Sequence, residues 1–197
     1  MTTIIFAHPW HGSFNKSILD EAVNNLKQSN KDYTVIDLNK DEFDPVFRQD
    51  ELALFSQGKC KDPLVEKYQK LLKQSDSLVF IFPVWWGNIP AILKGFLDKV
   101  MLKEFAYTII DGKVGPKGLL TNIKKATVIT TSDSPKWFLK YFAGNTIQGT
   151  FIKHNLKSFG IKNVKWLHCG DTKNTKKESL QKRVQFLNKI RTEKLYE

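Results

Sequence analysis

Only two cysteines, Cys60 and Cys169, occur in 197 residues, far apart and outside any C-x-x-C spacing. That excludes a disulfide scaffold and a thiolate metal centre, and it fits two reduced thiols in a cytoplasmic protein. No apolar run approaches the roughly 18 residues that a membrane span requires. The first such run ends at His8 with no basic segment before it, so neither a signal peptide nor membrane insertion is expected. Both common nucleotide loops, G-x-G-x-x-G and G-x-x-x-x-G-K-[ST], are missing, which removes the usual support for dinucleotide or triphosphate binding. Blocks of like charge are missing too, although the net charge is +11. The 31 Lys and Arg are spread along the chain, and the densest stretch, KKESLQKR at 176–183, is broken by Glu178 and reads as one solvated helix face. Such dispersion predicts no nucleic-acid partner; the field would instead draw in a small polyanion.

What is present is an alternation. Hydrophobic residues at 41% and charged residues at 26% are ordinary for one soluble domain spanning 1–197. Short β-branched runs at 2–7, 33–38, 77–82, 126–131 and 163–169 read as strands, and the most apolar, SLVFIF at 77–82, is expected at the centre of the sheet. Helical periodicities lie between them: Ile18, Leu19, Ala22, Val23 and Leu26; then Leu64, Tyr68, Leu71 and Leu72 after Pro63; then Ala91 to Met101 with Pro90 in the first turn. A further helix carries Ile147, Phe151, Ile152, Leu156 and Phe159 and ends at Gly160. Thr175 and Glu178 have capping-box spacing, opening a last helix whose apolar face is Leu180, Val184, Leu187 and Ile190. Five strands alternating with helices predict an α/β fold, a five-stranded parallel sheet with helices on both faces. Ligands of such sheets bind outside the carboxyl ends of the strands, which directs attention to the loops after residues 7, 82 and 131.

In the first loop, HPWHGSFN, Ser13 is placed to cap a helix whose free N–H groups would suit a phosphate, with Phe14, Asn15 and His8 beside it. His8 and His11 are not a metal pair: Pro9 lies between them, they precede the helix, and no Cys, Asp or Glu nearby completes a ligand set. The second loop, PVWWGNIP, puts Trp85 and Trp86 directly after a buried strand. Either one packs while the other covers a helix end, or together they wall a planar ring, with Gly87 allowing a tight turn. The third loop, TTSDSP, offers hydroxyls and Asp133 to a polar ring edge, or is an ordinary turn.

Together these loops resemble those of the flavodoxin-like NAD(P)H:quinone oxidoreductase family. The likeness rests on H-x-x-x-x-S-F-N (His8, Ser13, Phe14, Asn15), on FPVWWGNIPAILKGFLDKV at 82–100, on EFAYT at 104–108, and on Thr130-Thr131. The resemblance implies a flavodoxin-like fold, a homodimer, and a bound flavin that shuttles hydride from NAD(P)H to quinones, with azo or nitro compounds as further acceptors. FMN is favoured over FAD, because the chain lacks the C-terminal extension of the longer FAD enzymes. By position, His8, Ser13, Phe14 and Asn15 would hold the phosphate and ribityl end of the flavin. Pro83, Val84, Trp85, Trp86 and Gly87 would contact the ring, and Thr131, Ser132 and Asp133 would form the third flavin loop. Ala106, Tyr107 and Thr108 match an acceptor-pocket segment that serves the neighbouring subunit's flavin.

The chain departs from the family in two places. Where relatives carry TTGG, it has TTSD, whose side chains are expected to narrow the ring pocket and whose Asp133 would bring a negative charge to the ring, lowering its potential. Relatives also place Tyr and His beyond this loop; here Tyr141 has no His near it before His154, so no catalytic acid–base pair is assigned. Other readings of the resemblance are a flavin-bearing regulatory subunit of a potassium efflux system, a flavodoxin-type electron carrier, and a homologue that has lost its flavin. The basic charge and the HPWHGSFN loop count against the carrier.

Overall fold

The computed structural model describes residues 1–197. Five parallel strands, β1 (Thr2–Phe6), β2 (Tyr33–Asp37), β3 (Ser77–Pro83), β6 (Lys125–Thr131) and β7 (Val164–Cys169), form one sheet in the order β2-β1-β3-β6-β7. All five match the sequence-based expectation to within a residue at each end, and β3, every residue of which is buried, is central. A two-stranded antiparallel hairpin, β4 (Tyr107–Ile109) with β5 (Pro116–Gly118), was not foreseen; three-residue strands carry too little alternation to stand out.

Side chains alternate across the sheet and divide the core. Ile5, Phe80 and Val128 face a cluster of 31 buried residues that includes α3 (Pro63–Gln74) and α4 (Ala91–Val100). Ile4, Phe6, Val79, Ile81 and Ile129 face a smaller one of 14 with α1 (Phe14–Gln28) and α6 (Lys177–Thr192). Short helices α2 (Gln49–Leu52) and α5 (Lys136–Tyr141) lie on the loops, and Thr146–Leu156 forms a wide π-type helix. That helix stops near Gly160, whose φ of +98° disfavours any side chain, and a Cβ on the facing Gly118 would collide with Gly160 N.

Two details of the helices differ from expectation. Pro90 is the N-cap of α4 rather than its first residue. In α6 the cap is Lys176, with no side-chain capping bond, and Phe186 and Ile190 are buried while Leu180 and Val184 are exposed. The loop before α6 is held elsewhere, as described below, so the helix starts one residue late and buries Phe186 beside Ile190 in place of Leu180 and Val184.

The register places the functional loops side by side. Pro83 pairs with Thr131, and Thr131 with Cys169, so the loops leaving β3, β6 and β7 emerge next to one another. The chain order changes direction between β1 and β3, the switch point at which the loop after β1 opens.

Candidate flavin site

At the carboxyl end of the sheet lies a cleft of about 390 Å3 lined by His8, Trp10, Ser13, Phe14, Asn15, Pro83, Val84, Trp85, Thr131, Ser132, Asp133, Thr172 and Lys173. It continues into a second hollow of about 510 Å3 that adds Trp86, Gly87, Ser134 and Leu139. All twelve residues expected around a flavin are therefore brought together on one trough. Tyr107 and Thr108 lie on the β4–β5 hairpin, away from it. Ala106 is corrected to a core residue: it is fully buried, its N–H bonds to Leu102 O, and its carbonyl accepts from Leu119 N–H.

Ser13 is the N-cap of α1, its hydroxyl accepting from Lys16 N–H at 3.2 Å, while the N–H groups of Phe14 and Asn15 have no intrahelical acceptor. No acidic side chain occupies that turn, so its positive end stays open to an anion. His8 Nδ1 lies 3.1 Å from Trp10 N and 3.2 Å from Trp10 O, and no protein group bonds its Nε2. Burial holds its pKa below 6.5, with a smaller opposing contribution from the bond to Trp10. His11 turns the other way and bonds Asp37 at the end of β2 at 2.8 Å, so the two histidines share no centre. No group of three or more His, Cys, Asp or Glu is placed to hold a metal.

Asn15 shows best what the cleft is shaped for. Its Nδ2 donates to Thr131 Oγ1 at 2.8 Å, tying the first loop to the third, while its Oδ1 is buried without any partner. A buried acceptor left unsatisfied costs free energy that a donor such as a ribityl hydroxyl would restore. The chemistry of the cleft fits a flavin: helix N–H groups for a phosphate, an orphaned acceptor for a hydroxyl, and aromatic side chains for a ring.

The tryptophan loop is a two-residue hairpin. Trp85 and Asn88 exchange both backbone hydrogen bonds, at 3.0 and 2.9 Å, around Trp86 at φ 52° and Gly87 at φ 71°. Two successive positive φ values define this turn, and Trp86 adopts one without glycine's freedom, at a cost of order 1 kcal/mol. Neither indole packs in the core: Trp85 is 45% exposed and Trp86 fully so. Trp85 stands against His8 with ring centroids 6.0 Å apart. Sequence reasoning overlooked Trp10, which lines the cleft with its indole against Gly12, where a Cβ would sit 2.6 Å from the ring.

In the third loop Asp133 has partners that the sequence did not reveal. Asp133 is not a bare charge: Lys173 Nζ lies 2.9 Å from Oδ2, and Oδ1 accepts from Lys173 N–H at 3.1 Å and Thr172 Oγ1 at 3.4 Å. The Ser132 hydroxyl donates to Ser134 O at 2.8 Å. Beneath them lies His168, from β7, which the sequence reading missed because it lies so far along the chain. Its Nε2–H donates to Ser134 O at 2.9 Å, so Nδ1 accepts from Thr130 at 2.8 Å, and Thr130 Oγ1 accepts in turn from Trp166 Nε1–H at 2.8 Å. Burial lowers the His168 pKa against a smaller raising contribution from its bond to Ser134 O, and nearby Lys136 acts with burial, which favours the neutral ring that positions the loop.

Residues 1–192 match a family model described as the flavodoxin-like fold, and the chain belongs to that family. A protein of Haemophilus influenzae named as an uncharacterised NAD(P)H oxidoreductase is 28% identical over 169 residues, covering 85% of this chain and 82% of its own. NAD(P)H dehydrogenase [quinone] 1 of Cavia porcellus is 31% identical over 155 residues, 68% of this chain; the chain spans only 54% of that longer relative. Among solved structures, Smu.1420 of Streptococcus mutans superposes with a TM-score of 0.80 at 31% identity, over 98% of this chain and 99% of the other. An FMN-dependent NADH-azoreductase of Bacillus anthracis, solved with FMN, shares the fold at 18% identity and a TM-score of 0.73, with 96% and 95% covered.

Proposed function

We propose that this chain is an FMN-dependent NAD(P)H:quinone oxidoreductase working as a cytoplasmic homodimer. The observation that carries the reading is the convergence of three loops, distant in sequence, on one trough whose wall contains the orphaned Oδ1 of Asn15. When bound, FMN would supply two-electron hydride chemistry between NAD(P)H and a quinone, with one solvent proton completing the hydroquinone. Ser13, Phe14 and Asn15 would bind the phosphate and ribityl chain through the first turn of α1, with the unpartnered His8 Nε2 beside them. The Trp85–Asn88 hairpin supplies a rigid wall for the ring, with Trp85 braced on His8. Thr131 and Ser132 border the ring edge, in a loop fixed from below by His168. No helix is long and apolar enough to cross a membrane. The names of the relatives support the nicotinamide donor and the quinone acceptor, and the azoreductase that shares the fold supports FMN.

The homodimer is supported by unpartnered surface beside the trough. Trp137, Tyr141 and Phe142 on and after α5 are more than half exposed, with Trp137 and Phe142 packed edge to face, the kind of apolar cluster that marks an interaction surface. Tyr107 and Thr108, absent from their own chain's trough, are free to complete a neighbour's.

The test is a visible spectrum of the purified chain after incubation with FMN, followed by anaerobic NADH and NADPH. Flavin absorbance that is bleached by nicotinamide and restored by a quinone is the expected outcome. A chain that takes up neither FMN nor FAD, or a yellow chain that neither nucleotide bleaches, overturns the reading.

A further inference from the structure

We propose that Lys173 is a flavin-site residue, held by Asp133 so that the pair, rather than Asp133 alone, sets the charge felt by a bound flavin. The inference rests on the flavin reading above and assigns a role to a loop, Asp171 to Lys173, that neither the sequence motifs nor the comparisons single out.

Three observations carry it. First, the two hollows together are lined by seventeen residues, and only Asp133 and Lys173 among them bear a formal charge at neutral pH, the His8 pKa being held below 6.5. Both residues line both hollows, so the pair sits where the phosphate-side cleft passes into the tryptophan-lined one. Second, the contact is built into the backbone. Asp171 N–H donates to Asp133 O at 3.1 Å and Thr172 N–H to Ser132 O at 3.3 Å, while the Asp133 carboxylate accepts from Lys173 N–H. The loop after β7 is thus clamped to the loop after β6 before the ammonium closes on Oδ2 at 2.9 Å. Asp171 adopts a positive φ of 60° to make the turn, and its own carboxylate accepts from Ser179 at the start of α6. Third, the Lys173 side chain is 88% exposed and its ammonium pairs with Asp133 alone, which leaves it free to meet whatever occupies the trough.

Two-electron reduction adds negative charge to a flavin. A lone carboxylate at this junction opposes that change, a lone ammonium favours it, and a close pair nearly cancels. The exchange of a family glycine for Asp133 is then tolerable because Lys173 accompanies it. Neutralising either member alone should shift the flavin potential in opposite directions, a signature that mere loosening of the loop does not produce.

The experiment is spectroelectrochemical titration of FMN bound to wild type, Lys173→Gln, Asp133→Asn and the double variant, with thermal melts to confirm folding. Lys173→Gln lowers the equilibrium constant for two-electron reduction about tenfold, about 30 mV, and Asp133→Asn raises it by a similar factor. The double variant stays within about threefold of wild type, and both single shifts shrink in high salt because the pair is exposed. Single variants that shift together, or that both keep the wild-type potential, overturn the inference while leaving the flavin reading intact. A wild-type chain that takes up no flavin overturns both.

Discussion

Lys99 and Lys173 each pair with a carboxylate at nearly the same distance, 3.0 Å to Glu51 and 2.9 Å to Asp133, in very different surroundings. The Lys99 side chain is 2% exposed. Its ammonium also reaches Asp62 at 3.3 Å and Asp44 O at 3.0 Å, so three segments of the long loop before α3 are gathered onto α4. The carboxylates are committed as well: Glu51 accepts from Arg48 N–H and Cys60 Sγ, and Asp62 caps α3 through Leu64 N–H. Burial alone would lower the Lys99 pKa, but its bonds to Glu51 and Asp62 raise it, so the lysine stays charged. Around Lys173 the opposite holds: the pair is wet, and close by Asn15 keeps an acceptor unsatisfied and Trp86 a strained backbone. One region uses its charges up in holding the fold; the other leaves groups for a ligand to complete.

The largest expected effect comes from breaking the buried centre. Lys99→Met strands Glu51 and Asp62 without their cation, and loss of one partner of a buried pair costs about 3–5 kcal/mol. For a chain of this length the melting temperature should fall by on the order of 10 °C. Urea denaturation measures it directly. A loss below about 1 kcal/mol would mean that water reaches the cluster and that the contrast with Lys173 is one of degree.

Next in size is the anion end of the trough. His8→Ala removes a donor and the brace behind Trp85, and flavin affinity should weaken about tenfold, the worth of one hydrogen bond of about 1.4 kcal/mol. His11→Ala should leave affinity within about twofold, since its partner is Asp37, while costing up to about 1 kcal/mol of stability. Fluorescence titration with FMN separates the two, and equal losses of affinity would put His11 back in the site.

The sheet was legible because its strands are short apolar runs bounded by polar loops, and the strand-end rule then pointed to three loops before any contact was known. Motif residues such as Ser13, Asn15 and Trp85 could be named because their spacing within one loop is local. Lys173, the partner of Asp133, and His168 were missed for one reason: each acts across a strand pairing, and one sequence does not display the β6–β7 register. The same cause misplaced the start of α6. Thr175 had the spacing of a cap, but the preceding loop is pulled toward Asp133 and Lys176 takes the position. Trp10 had a visible signal, an aromatic residue two before a glycine in the first loop, that attention to the histidines obscured.

The smallest expected effect is on pH. His168 has its pKa lowered from 6.5, chiefly by burial. As pH falls past about 6.5 the unfolded chain takes up a proton that the folded chain still refuses, so the unfolded state binds more protons and stability declines. The decline ends once pH drops below the folded-state pKa. His8, lowered by burial in the same way, contributes with the same sign. His168→Gln cannot titrate, so its stability should be lower at pH 7.5 through loss of the bonds to Thr130 and Ser134, yet fall less steeply toward pH 5.5. Protonation would also make Nδ1 a donor facing a Thr130 hydroxyl that already accepts from Trp166, so the loop carrying Ser132 and Asp133 should loosen over the same interval. Urea denaturation of both chains across that range gives the slopes. Parallel slopes would show that His168 is not linked to protons and that the third loop, like the Lys99 centre, is indifferent to mild acid.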